Sequence, residues 1–272
     1  MKKIKHALMS SMMSLICLKS YGQWSAEKAH DLIYQGHDRS DCFKKIVQNA
    51  FGDEFPEDVD GFSFVTLTDL KETAEHLNIG PGDRLVDLGC GRGGPGMWIA
   101  RKTGSDLIGI DISTSALASA KKRLMNFGLD GRADFRLGNF YDTGLTNCSC
   151  NGATSIDALW HAPDKSRALD EIARILKPNA RLVFTTWDGN IPFMPKDHKG
   201  LLENSGFKVE VYRETPGWKE RQLAVYHGIL DTKEVLIQEM GKKHAIPMIK
   251  EAKSVIPVLD TSLRVFVVAR KR

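Results

Sequence analysis

Val86-Asp87-Leu88-Gly89-Cys90-Gly91-Arg92-Gly93-Gly94 decides the fold of this chain. Arg84 to Leu88 is a short apolar strand, and it enters a turn whose glycines leave no side chain between the backbone and a ligand. Gly94 to Lys102 reads as a helix, Asp106 to Asp111 as a second strand, and Ser113 to Asn126 as a helix capped by Ser113 or Thr114 and ended by Gly128. Ala133 to Leu137 and Thr154 to Leu159 read as strands three and four. Asp164 to Leu176 is a helix stopped by Pro178, and Arg181 to Trp187 is a fifth strand. Beyond a proline-bearing loop at Gly189 to Asp197, Lys208 to Arg213 and Arg264 to Arg270 form a terminal strand pair.

Strands alternating with helices of this length imply βαβ crossovers and a parallel sheet buried on both faces. The expected class is therefore α/β: a doubly wound, Rossmann-like, seven-stranded, mostly parallel sheet with a terminal antiparallel strand. Accessory helices lie at both ends of the chain, and the ligand crevice lies at the carboxyl ends of strands one and four. Residues 25–79 read as a helical lid or accessory segment, broken at Phe51-Gly52-Asp53 through Pro56. Within it Thr68 to Leu77 has amphipathic spacing, with Thr68 or Asp69 as its cap. Residues 80–272 make the ligand-binding domain, with a helical insertion at about 214–255.

Gly89, Gly91 and Gly94 fit a G-x-G-x-x-G dinucleotide pattern, a weak signal taken alone. Charge separates two readings. A dinucleotide brings a pyrophosphate to this turn, which Asp87 at the strand end would repel. S-adenosylmethionine (SAM) brings a sulfonium and an ammonium group, which a carboxylate attracts. Arg92 suits a phosphate, and under the SAM reading it turns outward or meets the methionine carboxylate. Asp111 ends strand two about 20 residues past the turn, where an acidic side chain binds a ribose diol; its alternative role is to cap the next helix.

The run Asp87 to Gly96 followed by Gly109-Ile110-Asp111-Ile112-Ser113 resembles the cofactor motif of class I SAM-dependent methyltransferases, above all the small-molecule, ubiquinone/menaquinone-type (methyltransferase type 11-like) branch. Ser155-Ile156-Asp157 through Asp164, and Glu171 to Pro178, resemble that branch's fourth strand and following helix. The resemblance covers about residues 80–188 and leaves residues 1–60 uncovered. It implies SAM as cofactor, held by Asp87, Gly89, Cys90, Gly91, Asp111, Ile112, Asn139, Phe140 and Asp157. Where the family carries an acidic residue against the adenine amine this chain has Asn139, so its carbonyl or Asp142 must accept that bond. Phe140 either stacks on the adenine or packs in the core. The family's Pro-Gly-Gly turn is Pro178-Asn179-Ala180 here.

His161 follows strand four and is the candidate base for a hydroxyl or amine acceptor, since imidazole titrates near neutrality; the alternative is a loop histidine that bonds backbone. Trp160, Trp187 and Trp218 are candidates for an aromatic acceptor pocket or for ordinary burial. Methyl transfer from SAM is an in-line displacement that rests on positioning and water exclusion, so a dedicated base is optional. Three rivals stand beside this reading: an NAD-dependent oxidoreductase, a nucleic-acid or protein methyltransferase, and a SAM-binding protein that does not methylate. The second lacks both a basic stripe and an Asn/Asp-Pro-Pro-aromatic turn, since Trp160-His161-Ala162-Pro163-Asp164 stands there.

The 272 residues carry a net charge of +4, with 42% apolar and 26% charged residues, an ordinary globular profile with a small-molecule acceptor and no nucleic acid as expected partners. Five cysteines (Cys17, Cys42, Cys90, Cys148 and Cys150) show no metal spacing, so no metal is expected, and Cys148 and Cys150 read as loop thiols. Lys2, Lys3 and Lys5 precede an apolar run, Ala7 to Leu18, and Ser20-Tyr21-Gly22 follows, so residues 1–24 resemble a secretory signal. The run is broken by Ser10, Ser11 and Ser14 and is too short to span a bilayer. A non-cleaved extension on a cytoplasmic enzyme is the expectation, because SAM is made and kept in the cytosol. Oligomeric state and the identity of the acceptor are not legible in the sequence.

Overall fold

A computed structural model describes residues 40–59, 63–189 and 195–272. In chain order the helices are α1 Asp41–Phe51, α2 Leu67–Leu77, α3 Gly94–Thr103, α4 Thr114–Arg123, α5 Lys165–Ile175, α6 Lys199–Asn204, α7 Trp218–Asp231, α8 Lys233–Met240 and α9 Lys242–Val255. The strands are β1 Arg84–Leu88, β2 Asp106–Asp111, β3 Ala133–Leu137, β4 Cys150–Ile156, β5 Leu176–Gly189, β6 Phe207–Glu214 and β7 Ser262–Lys271.

The chain divides into two compact units, a sheet unit of Pro56–Pro216 with Ser262–Arg272 and a helical unit whose described residues are 40–55 and Gly217–Thr261. The sheet has seven strands in the order β3-β2-β1-β4-β5-β7-β6. β1 to β5 are parallel, and β7 enters antiparallel between β5 and β6. Val86, Leu88, Ile110, Leu182 and Phe184 face one apolar layer with Leu169 and Ile172 of α5; Leu85, Leu107, Val183 and Phe266 face the other with Met97 and Leu70. This two-sided burial is why the parallel strands read as continuous apolar runs. In the helical unit Gly228 of α7 lets α1 approach closely, since a Cβ there would lie 2.6 Å from Ile46 Cγ2.

Several expectations about boundaries change. The N-terminal helical segment is divided: residues from Pro56 onward, including α2, join the sheet unit, and only the part before it belongs with the helices at 217–261. Residues 1–24 lie outside the described residues. α2 is capped by Thr66, whose hydroxyl accepts from Asp69 N while the Asp69 carboxylate accepts from Thr66 N, a reciprocal capping box that starts earlier than read from sequence. β4 begins at Cys150 and ends at Ile156. Asn151-Gly152 has the composition of a turn, but Gly152 is a packing glycine: a Cβ on it would lie 3.0 Å from Leu77 Cδ2 of α2. Cys150 is therefore a buried strand residue, while Cys148 is exposed at φ 50°. Among the described residues no group of His, Cys, Asp and Glu is arranged to hold a metal, and no helix is long and apolar enough to cross a membrane.

Candidate active site

The β1–α3 turn is set by backbone conformation. Gly89, Gly91 and Gly93 have φ of 70°, 51° and 76°, left-handed values that cost a side chain-bearing residue energy. Gly89 N and Cys90 N both donate to Ile110 O, at 2.8 and 3.1 Å, which ties the turn to the end of β2. Asp111 then fixes the next residue: its Oδ2 accepts from Gly91 N at 2.7 Å and its Oδ1 from Ser113 N at 2.9 Å. Ser113 Oγ in turn caps α4 by accepting from Ala116 N, so capping is done by the serine and the Asp111 carboxylate sits between the two strand ends. Ile112, half-buried, joins them.

Asp87 lies beneath this turn, 2% exposed. Its Oδ2 is buried without a hydrogen-bond partner among the described residues. Gly96 leaves room for it, since a Cβ there would lie 2.5 Å from that oxygen. Burial, then the charge of Asp111, pushes the Asp87 carboxyl from 3.8 up to about 7, with the Gly96 amide acting the other way. Cys90 turns its side chain into the core, and burial with Asp111 and Asp87 pushes its thiol well above the usual range, so it is no thiolate nucleophile. Arg92 Nε donates to Ser119 Oγ on α4 at 3.1 Å.

Gly89 is the point where three segments converge. A Cβ on it would lie 2.6 Å from Ala158 Cβ after β4 and 3.2 Å from Phe140 Cζ after β3. Phe140 is thus at the turn while also packing on the core. Asn139 is differently placed from its expected role. Its Oδ1 accepts from Tyr141 N at 2.8 Å and Asp142 N at 3.1 Å, so the carbonyl proposed for an adenine amine closes a local turn. Asp142 is exposed, with Oδ1 accepting from Gly144 N.

Asp157 also takes a different part. It has φ 53°, and its carboxylate is engaged by Arg264 Nε at 3.0 Å and Nη2 at 3.1 Å, by Thr185 Oγ1 at 2.7 Å and by Phe64 N at 2.9 Å. The fully buried Arg264 reaches on to Asp69 Oδ2 at 2.8 Å and Thr215 Oγ1 at 3.1 Å. Asp157 is therefore an ion-pair anchor for the turn after β4. Arg264, Asp69 and Phe64 were missed as site-supporting residues; the one available signal was a lone arginine opening an apolar strand.

That turn carries Trp160 and His161, whose rings lie 3.8 Å apart at 33°. Trp160 Nε1 donates to Asp157 O at 2.9 Å. Trp187 stands edge-on to Trp160 at 6.0 Å and to Phe64 at 6.1 Å. Trp218 belongs to the helical unit.

Residues 86–184 match the family described as "Methyltransferase domain". Over 200 residues the chain is 30% identical to "O-methyltransferase rstn1" of Aspergillus nomiae, covering 65% of this chain and 88% of that protein. It is 38% identical over 117 residues to "24-methylenesterol C-methyltransferase 2" of Oryza sativa subsp. japonica, covering 43% of this chain and 32% of that one. The fold is similar to that of the [4+2]-cyclase SpnF, with a TM-score of 0.72 at 18% identity over 91% of this chain and 95% of the other. The chain spans 46%, 32%, 44% and 48% of the length of four curated relatives. Fold and turn together define a Rossmann-like α/β domain whose first sheet-to-helix turn is bare backbone over a buried carboxylate. The chain belongs to the class I SAM-dependent methyltransferases.

Proposed function

We propose that this protein transfers a methyl group from SAM to a small-molecule acceptor at an oxygen, nitrogen or carbon nucleophile. The observation that carries the reading is Asp87: a buried carboxylate with an unpartnered oxygen, held near neutrality in its titration beneath a turn of bare backbone. A cation placed there lowers the cost of its charge, whereas a pyrophosphate raises it. The relatives named for sterol and O-methyl transfer support a small-molecule acceptor.

When bound, SAM supplies a methyl group activated by attachment to a sulfonium. Gly89 and Gly91 let the backbone approach it, Asp111 offers a carboxylate already oriented by two amides, and Phe140 supplies an apolar ring beside Gly89. Asn139 and Asp157 support the loops around this cradle rather than contact the cofactor. His161 takes the acceptor's proton where the acceptor carries one; an already nucleophilic acceptor needs only positioning and exclusion of water.

Asp111→Ala is expected to weaken SAM binding about ten- to a hundredfold, the loss of charge-assisted hydrogen bonds. Calorimetry checks it, and an unchanged dissociation constant removes Asp111 from the site. Heat with NADH but none with SAM or S-adenosylhomocysteine would overturn the whole reading. His161→Ala is expected to lower turnover of labelled SAM while leaving SAM affinity unchanged; equal turnover makes His161 a bystander. The reaction is placed in the cytoplasm with its cofactor supply, and recovery of the tagged chain from a periplasmic fraction overturns that placement.

A further inference from the structure

We infer that the acceptor half of the site is an aromatic wall, Phe64, Trp160 and Trp187, that takes a neutral acceptor with a flat or branched apolar body and excludes phosphorylated or carboxylated ones. This rests on the methyl-transfer reading and adds the chemical class of the acceptor.

Position comes first. Ala158 touches the Gly89 turn, and Trp160 and His161 follow within the same 3-10 turn, Leu159–His161. The rings therefore begin two residues from the point where bare backbone meets the cofactor. They come from three separate segments, yet all are tied to Asp157. Trp160 Nε1 bonds its carbonyl, Phe64 N bonds its carboxylate, and the Arg264 guanidinium that pairs with it lies 5.8 Å from the Trp187 centroid. Edge-to-face packing at 76° and 85° sets Trp160 and Phe64 each steeply across the Trp187 plane. Phe64, Trp160 and His161 are only half-buried, which leaves ring surface for a further apolar body, and the buried Trp187 backs them from behind. With Trp160 held through its ring N–H, Phe64 through its backbone and Trp187 edge-on to both, these rings form a binding surface with little entropy left to lose.

Charge then selects. Among the described residues, two cations lie against this region and each is turned to protein acceptors: Arg264 to Asp157, Asp69 and Thr215, and the Lys165 ammonium to Trp160 O at 3.2 Å and Ala162 O at 3.0 Å. Two buried carboxylates, Asp157 and Asp69, stand with Arg264 behind the same rings. The Arg264 charge is spent on these two carboxylates. Against this wall an anionic group meets Asp69 and Asp157 and finds Arg264 and Lys165 engaged, leaving the cofactor's sulfonium as its attraction, while the electron-rich ring faces favour apolar or positively polarised surface.

The test uses the full chain saturated with S-adenosylhomocysteine and two fluorescent probes of similar shape, neutral N-phenyl-1-naphthylamine and anionic 8-anilino-1-naphthalenesulfonate. The neutral probe is expected to bind about tenfold or more tightly than the sulfonate. Trp160→Ala and Trp187→Ala are each expected to weaken the neutral probe about tenfold, while Trp160→Phe and Trp187→Phe, which keep a ring, restore most of it. Equal or tighter binding of the sulfonate overturns the inference, as does neutral-probe binding indifferent to both alanine variants. Calorimetry with S-adenosylhomocysteine on the same samples separates the failures. A variant that binds it normally is folded, so probe loss there is local. No binding by the wild-type chain defeats the methyltransferase reading itself, and normal binding with failed probe arms defeats the wall alone.

Discussion

Arg264→Met is expected to cost about 3–5 kcal/mol of folding stability, the penalty for leaving buried carboxylates without their cation. The side chain is fully buried on β7, and its guanidinium donates to Asp157, Asp69 and Thr215. Burial alone would lower its pKa, but Asp157 and Asp69 more than offset that and hold it above its ordinary range. Methionine keeps an unbranched apolar stem without the guanidinium, so the larger part of the loss is electrostatic: two carboxylates remain at 9% and 2% exposure with no cation between them. Lysine is no substitute, because one ammonium cannot reproduce a fork that reaches Asp157 through Nε and Nη2 while Nη1 serves Asp69. Urea unfolding measures the effect. Adding Asp69→Asn and Asp157→Asn to Arg264→Met is expected to recover a large part of the loss, since neutral amides remove the buried charges. A single variant within about 1 kcal/mol of the parent protein would show that the triad contributes only what an exposed ion pair does.

The consequence reaches the site through Asp157, and it explains which parts of the site were legible in the sequence. The β1 turn was readable because its determinants are local: an apolar run, glycines that alone tolerate left-handed backbone, and an acidic residue about 20 positions on. The parallel strands were readable for the same reason, each being a short apolar run between turn residues. Asp157 has a local position identical in kind to that of Asp111, a carboxylate ending a strand beside the crevice. What assigns it to an ion pair is Arg264, which arrives 107 residues later, and the second partner, Asp69, lies 195 residues from that arginine. No local pattern carries such a pairing. Asn139 differs, because its bonds to the amides of Tyr141 and Asp142 follow the short-range habit of asparagine in turns, a local signal present in Asn139-Phe140-Tyr141-Asp142-Thr143-Gly144. The start of β4 was hidden by Asn151-Gly152, where a glycine needed for helix packing looks like one needed for a turn.

Asp87→Asn is expected to make the ligand-free protein more stable above neutral pH and, in the same stroke, poorer at holding SAM. The folded-state pKa of Asp87 is about 7 against 3.8 for an ordinary aspartate. Between those values the folded chain holds a proton that the unfolded chain has released, so the free energy of unfolding falls as pH rises through that window. Below about pH 4 both states are protonated and Asp87 costs nothing. Above about pH 7 the full penalty is present, and the shift corresponds to roughly 4 kcal/mol. An asparagine carries no such penalty. Urea midpoints of the two proteins should therefore nearly coincide at pH 4 and separate by pH 8, with Asp87→Asn the more stable. The titratable groups facing Asp87 are Asp111 and Cys90; both act by raising its pKa or staying neutral, so neither reverses the sign. Adding SAM should reverse the order at pH 8, because a bound cation stabilises the ionised carboxylate and gives the amide less. SAM affinity of the parent protein should rise as pH passes through 7, and that of the variant should not. If Asp87→Asn proves less stable than the parent at pH 8 without ligand, the buried oxygen has a partner that offsets its charge, and the cation-seeking character argued for this turn fails with it.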